Sequence, residues 1–169
     1  WELGDPATYL AGPGAAYSGT DCWGTNLLTE YAWGADCFLY TPYMDLTLAA
    51  TAEMSFWHWY NITGGMWDGG WVEVSDDYGQ SWTQITPSGG YNDVTAFSVP
   101  CYAGSSGGWI PAEINLTGYT GQVIVLRFRL WTEPWDMVPD LAGWYIDDLT
   151  VDATYPAYGV RLTPEQDFS

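Results

Sequence analysis

The feature of this sequence that most constrains its fold is a long alternating segment at residues 52–60. Side chains of a β-strand point alternately to its two faces. One face of this segment carries Ala52, Met54, Phe56, His58 and Tyr60, and the other carries Glu53, Ser55, Trp57 and Trp59. Toward the C-terminal end both faces are largely apolar, which indicates a strand covered on both sides. We therefore predict a central strand of a β-sandwich.

Two more segments alternate in the same way. Residues 110–116 and residues 123–131 each place aliphatic or aromatic side chains on one face, and the second segment carries Arg127 and Arg129 on the opposite face. We expect these arginines to pair with carboxylates on neighbouring strands. The chain is rich in Trp (12) and Tyr (13) and contains no long apolar segment with a helical period. Together these features predict an all-β fold.

The length of 169 residues suits one domain with a sizeable core. We predict that residues 1–153 form this domain. Residues 157–164 begin a new extended segment, and too little chain follows to fold it. Residues 154–169 are therefore interpreted as a linker or as the start of a following domain.

A turn motif occupies residues 75–82, where the order Ser-x-Asp-x-Gly-x-Ser-Trp matches the pattern known as an Asp-box. We expect Asp77 to bind turn amides, Gly79 to supply a positive φ and Trp82 to pack over the hairpin. The motif indicates a hairpin specifically and gives almost no information about function.

An acidic pair interrupts the last predicted core strand, residues 143–151. Ile146 and Leu149 flank Asp147 and Asp148, and residues three apart cannot share one face of a regular strand. We predict a bulge or strand end at the pair. Adjacent carboxylates repel each other, and a hard cation offsets that repulsion most simply. The alternative is a solvated strand end without a metal.

The charge of the chain limits its partners. Three basic residues stand against 21 acidic ones, which gives a net charge of −18. Such a surface repels nucleic acids and anionic membranes. No apolar run approaches the roughly 18 residues of a membrane helix, so we predict no membrane insertion.

The cysteine count is odd, with Cys22, Cys37 and Cys101. Cys22 and Cys37 are disulfide candidates in an oxidising compartment, which would leave Cys101 free. The sequence does not fix this pairing.

Several short motifs follow one another in an order that resembles a known family. They include Trp1-Glu2, Cys22-Trp23-Gly24-Thr25-Asn26-Leu27, Phe56-Trp57-His58-Trp59-Tyr60, Asp68-Gly69-Gly70 and Gly143-Trp144-Tyr145-Ile146-Asp147-Asp148. From about residue 1 to 152 the chain resembles the MAM-like jelly-roll domain of secreted bacterial peptidases of the immune inhibitor A type and, more loosely, cleaved adhesin domains. The resemblance implies a two-sheet antiparallel jelly-roll sandwich and an extracellular accessory domain, secreted or on the cell surface.

The resemblance also implies a calcium ion near the two chain termini. Glu2 matches the acidic residue of the family's first strand, and Asp147 with Asp148 matches its closing acidic pair. We therefore predict that Glu2 and at least one of the two aspartates bind calcium. The insertion between residues 131 and 140 departs from the family pattern.

Catalytic motifs are scarce. The sequence has no His-Glu-x-x-His zinc motif and no Gly-x-Ser-x-Gly nucleophile elbow. His58 is the only histidine, and we interpret it as a hydrogen-bonded packing residue. A pair of carboxylates is enough for a glycosidase, but no pair is singled out here. We predict that the chain is not an enzyme.

Three functions remain: a calcium-stabilised accessory or adhesion domain, a carbohydrate-binding module, and a structural subunit of a surface assembly. Their partners are neighbouring domains of the same chain, a glycan, a protein surface or copies of itself. The candidate contact residues are Trp67, Trp131 and Trp135, with Trp71 as a further stacking candidate for a sugar. Trp135 lies in a long loop, residues 132–142, and long loops often carry function. The alternative for each tryptophan is burial in the core.

Overall fold

The computed structural model describes residues 1–135 and 141–157. In these ranges the strands are β1 (Glu2–Gly4), β2 (Cys22–Gly24), β3 (Asp36–Tyr40), β4 (Met44–Asp45), β5 (Thr51–Ile62), β6 (Gly69–Ser75), β7 (Thr83–Ile85), β8 (Asp93–Val94), β9 (Pro100–Cys101), β10 (Gly104–Ser105), β11 (Ile110–Asn115), β12 (Val123–Trp131) and β13 (Gly143–Thr154). Short 3₁₀ turns lie at Pro6–Thr8 and Thr117–Tyr119.

The main strands form two antiparallel sheets. The first sheet has the order β1-β2-β13-β5-β10, with β11 also paired to β5. The second has the order β3-β12-β6-β7, with β4 also paired to β12, and β8 and β9 form a separate small ladder. The predicted all-β, two-sheet antiparallel sandwich is confirmed.

The β5 strand lies in the interior of the first sheet, as its alternation predicts. It pairs with β13 on one side and with β10 and β11 on the other. Its even-numbered side chains are buried along the whole strand. Phe56 meets Phe128 of the opposite sheet edge-on, with ring centroids 5.0 Å apart. These contacts form the centre of the core between the sheets.

The outer face of the first sheet is covered by the segment before β2, which the sequence suggests only as a surface loop at residues 11–19. Tyr17 stacks on Trp57 with ring centroids 3.8 Å apart, and the Trp109 indole donates a hydrogen bond to the Ala15 carbonyl at 3.0 Å. Beneath this segment Cys22, Leu27, Ala142 and Tyr145 form a second, smaller core. This cover explains why β5 is apolar on both faces.

The chain continues in β13 through Thr154, which pairs with Thr51. This strand ends one residue after the predicted domain boundary at residue 153. Residues 158–169, most of the predicted linker, lie outside the described residues.

The three cysteines are free thiols. The candidate pair Cys22–Cys37 is not bonded in this structure. Cys22 belongs to the small core on the outer face of the first sheet, whereas Cys37 lies on β3 of the second sheet and packs against the main core.

The turn between β6 and β7 is held by Asp77. Its carboxylate accepts hydrogen bonds from the Ser81 amide at 2.9 Å, the Ser81 hydroxyl at 2.6 Å and the Gln80 amide at 3.0 Å. These bonds, above all those from Ser81, lower the pKa of Asp77 to about 2. Gly79 has a φ of 85°. The turn therefore has one preferred conformation, and Trp82 follows it directly.

His58 lies in the main core and is 1% exposed. Its Nδ1 accepts a hydrogen bond from the Trp144 indole at 3.2 Å. Burial lowers the pKa of His58 from 6.5 to about 3. The prediction that His58 is a hydrogen-bonded packing residue is confirmed.

A stability change with pH follows from the lowered pKa of His58. Between pH 6.5 and about 3 the unfolded chain binds a proton at this residue and the folded chain does not. We expect the free energy of unfolding to decrease as the pH is lowered through that window, by up to about 1.4 kcal/mol per pH unit from this group. Above pH 6.5 we expect no such decrease. Urea unfolding from pH 7 to 4 measures it. His58→Gln should show a shallower pH dependence, and equal slopes would contradict the assignment.

Candidate functional site: the aromatic end of the sandwich

Large apolar side chains are exposed together at one end of the sandwich. Trp135 is 82% exposed and Phe97 is 71% exposed, and three more side chains are more than half exposed. We call this surface the aromatic end; its residues are Trp33, Met66, Trp67, Phe97, Trp131 and Trp135. Exposed tryptophans and methionines in one patch are typical of contact surfaces.

Backbone contacts bring these loops together. The Ala96 amide donates to the Met66 carbonyl at 2.9 Å, which joins the loop before β6 to the turn between β8 and β9. Phe97 of that turn packs edge-on against Trp131 at the end of β12, with centroids 5.3 Å apart. The Gly34 amide donates to the Glu133 carbonyl at 3.3 Å, which places Trp33 beside the loop that follows β12.

The buried carboxylate of Asp68 anchors the aromatic end from below. Asp68 is 1% exposed and accepts hydrogen bonds from the Tyr31 hydroxyl and from the Glu133 amide, the latter at 2.8 Å. The Tyr31 oxygen also accepts from the Thr63 amide at 3.1 Å. Burial and the bond to Asp68 raise the pKa of Tyr31, so it remains a neutral donor. Three separate segments are thereby tied to one point below Trp67 and Trp135.

The structure brings the three predicted contact tryptophans to the same end. Trp67 and Trp135 are exposed, whereas Trp131 is half-buried against the main core. Trp71, the further stacking candidate, is 4% exposed and donates its indole N–H to Glu73 at 2.9 Å, so it offers no free face. The loop residues that accompany Trp135 in the sequence, Asp136, Met137, Pro139 and Asp140, lie outside the described residues.

Three members of the aromatic end were not predicted: Trp33, Met66 and Phe97. Each lies in an irregular segment without hydrophobic periodicity, where the sequence does not indicate the direction of a side chain. Met66 has a φ of 82°, which is uncommon for a residue with a side chain. An exposed methionine held in this conformation by a bond to Ala96 is a signal that only the structure provides.

The acidic pair lies at a β-bulge, as its broken alternation predicts. The pairing register of β13 against β5 shifts between Asp147 and Thr150, and Asp148 has a φ of 46°. Asp147 accepts a hydrogen bond from the Ser18 amide at 3.0 Å, and Asp148 accepts from the Ser18 hydroxyl at 2.6 Å. The pair therefore fastens the end of the segment that covers the outer face of the first sheet.

The structure places Glu2 apart from this pair. The β2 strand separates β1 from β13, and the Glu2 carboxylate accepts from the Leu27 amide at 3.0 Å, beyond the Gly24 end of β2. Asp147 lies on the side of Cys22, at the other end of that strand. The described residues contain no group of three or more His, Cys, Asp or Glu side chains arranged for a metal ion. The prediction that Glu2 and at least one of the two aspartates bind calcium stays a prediction.

The single histidine and two of the three cysteines are buried in unreactive forms. His58 is neutral in the core. Burial, with a smaller effect of Asp147, raises the pKa of the Cys22 thiol to about 12, and burial with a smaller effect of Asp93 raises that of Cys101 to about 12. Their thiolates are therefore disfavoured at neutral pH.

The fold and the site define an antiparallel β-sandwich domain with an aromatic surface at one end. No family profile matches the chain. Over 151 residues the chain is 32% identical to Bacillopeptidase F of Bacillus subtilis (strain 168). The matched region covers 89% of this chain and 9% of that protein. The chain thus spans less than a tenth of the length of a relative that is named as a peptidase. Among the described residues, no helix has the length and apolar character needed to cross a membrane.

Different effects on stability are expected at Trp135 of the aromatic end and at Asp68 beneath it. Trp135→Ala should change the free energy of unfolding by less than about 0.5 kcal/mol, because the side chain is mostly in solvent. Asp68→Ala should cost roughly 2–4 kcal/mol, because it removes a buried acceptor from Tyr31 and from Glu133. Chemical denaturation measures both. A large loss in Trp135→Ala would show that this ring is a packing residue.

Proposed function

We propose that this chain is a non-catalytic accessory domain of a larger extracellular protein, and that its aromatic end contacts a neighbouring folded unit. The observation that carries the proposal is the group of exposed rings at the aromatic end, next to loops that the buried Asp68 carboxylate holds by hydrogen bonds. Rings of this size contribute most to protein contacts when their positions are fixed before binding. The similarity to a small part of Bacillopeptidase F supports an accessory role.

The chemistry of the aromatic end favours a protein surface as partner. Its exposed tryptophan, phenylalanine and methionine side chains would bury large apolar areas in a contact. The net charge of −18 opposes contact with a polyanion. A neighbouring domain of the same polypeptide meets these conditions at high effective concentration, so modest contact energy is sufficient. An extracellular location agrees with the resemblance to domains of secreted peptidases.

The contact role is tested by a double variant, Trp67→Ala with Trp135→Ala. The isolated domain should keep its melting temperature within about 2 °C, because both side chains are more than half exposed. In the longer polypeptide that contains the domain, the same change should remove the extra stabilisation that contact with the adjoining unit provides. Differential scanning calorimetry of both lengths measures this difference.

Tyr43→Ala is the matched control, since Tyr43 is an exposed aromatic residue that directly precedes β4 and lies outside the aromatic end. It should have no effect at either length. Equal calorimetric behaviour of the double variant and the control in the longer polypeptide would contradict the contact role.

Calcium stabilisation belongs to the same proposal, with Glu2 as one candidate ligand and the adjacent pair Asp147 and Asp148 as the others. The carboxylates of the pair lie at the bulge and both bind Ser18. A cation held there would strengthen the attachment of the covering segment to the first sheet. Only the folded chain presents both carboxylates in this arrangement, so binding would stabilise the fold.

Chelation tests this metal site. Excess EGTA should lower the melting temperature of the wild-type domain, and added Ca²⁺ should restore it. Asp147→Asn should remove the response to calcium, whereas Asp152→Asn, an exposed aspartate farther along β13, should retain it. An unchanged melting curve in EGTA would contradict calcium stabilisation and would leave the aromatic end unaffected.

A further inference from the structure

The outer face of the second sheet carries a cavity of about 410 Å³ that none of the preceding arguments uses. Tyr40, Tyr43, Trp82 and Arg127 contribute to its lining. Tyr40 ends β3, Tyr43 follows β3, Arg127 lies in β12 and Trp82 directly precedes β7. The cavity therefore belongs to a different surface from the aromatic end. The volume is ample for one or two sugar rings.

Two walls of the cavity are aromatic and open to solvent. Tyr40 is 53% exposed and Tyr43 is 59% exposed. The ring of Tyr40 stands at 62° to that of Trp82, with centroids 5.7 Å apart, so the cavity has two aromatic surfaces of different orientation. Flat apolar faces of this kind bind the C–H faces of a ring-shaped ligand.

Arg127 supplies hydrogen-bond donors to the same cavity. Its guanidinium lies between two rings, 4.3 Å from the Phe38 centroid and 4.1 Å from the Trp82 centroid. Its Nε donates to Glu73, while its two terminal nitrogens donate no hydrogen bond to any residue that the structure describes. The guanidinium is therefore fixed in position and keeps donors for a ligand.

The charge around the cavity is balanced. Arg127 pairs with Glu73, and Arg129 pairs with Asp36 and with Glu73, so two cations face two carboxylates. No net positive charge remains to attract an anion, and the chain as a whole carries −18. The chemistry favours a neutral ligand that combines apolar faces with many hydroxyl groups.

The wall formed by Trp82 exists before any ligand binds. The turn before it is closed by the hydrogen bonds of Asp77, and the indole is held against Arg127. Little conformational entropy is then lost when a ligand stacks on this ring.

We infer that this cavity binds a neutral carbohydrate. A pyranose ring stacks its C–H face on Tyr40, Tyr43 or Trp82, and its hydroxyl groups accept hydrogen bonds from the terminal nitrogens of Arg127. Pyranoses whose hydroxyls are all equatorial fit best, because both of their faces are flat and apolar. The site goes beyond the contact role of the aromatic end and does not depend on it.

Isothermal titration calorimetry with cellopentaose and chitopentaose tests the site. At least one of these neutral oligosaccharides should bind the wild-type domain. Tyr40→Ala and Tyr43→Ala should each weaken that binding by roughly tenfold, as expected for loss of one stacking contact. Arg127→Lys should weaken it too, since lysine cannot replace the planar donor set.

Tyr155→Ala is the control, as the same substitution at an exposed tyrosine outside the cavity, and it should bind like the wild type. Melting temperatures of all variants show whether each one is folded. Absence of heat with both oligosaccharides would overturn the inference. Binding that survives Tyr40→Ala and Tyr43→Ala in folded protein would overturn it as well, by placing the sugar elsewhere.

Discussion

The buried indole of Trp144 holds the two sheets together. It lies on β13 of the first sheet, is fully buried, and donates its N–H to His58 of the neighbouring strand. Its ring packs against Phe128 of the second sheet, with centroids 5.6 Å apart. Gly70 of that sheet passes directly over the indole, where a Cβ atom would lie 2.5 Å from the ring. The distance between the two sheets therefore depends on the Trp144 indole of the first sheet and on Gly70 of the second. It also depends on a neutral His58, which accepts the hydrogen bond of the indole.

Because these contacts fill the core, the candidate binding surfaces lie on the outside of the sandwich. The outer face of the first sheet is covered by the segment that Tyr17 and Ser18 fasten in place. The outer face of the second sheet has its cations paired and its rings at Tyr40 and Trp82 near solvent. The aromatic end is attached to the frame through Asp68. The fold fixes the position of Trp82 against Arg127 and of Phe97 against Trp131 before a partner arrives, which lowers the entropy lost on binding.

The long strands were predictable from the sequence, whereas the way in which the loops and strands come together was not. Alternation in β5, β11 and β12 is sufficient to identify core faces, because period two is a local property of the chain. The bulge at Asp147 was predictable for the same reason, since it interrupts that period. In contrast, the separation of Glu2 from Asp147 depends on which strand lies between β1 and β13. Such strand order is a property of the whole fold, as is the placement of Phe97 against Trp131.

The central claim is that the aromatic end is a contact surface carried by a rigid sandwich. Hydroxyl-radical footprinting with mass spectrometry tests it most directly, by comparing the isolated domain with the longer polypeptide. We expect Trp67 and Trp135 to be strongly oxidised in the isolated domain and protected in the longer chain, while Trp144 remains unmodified in both. Equal oxidation of Trp67 and Trp135 at both lengths would contradict the claim.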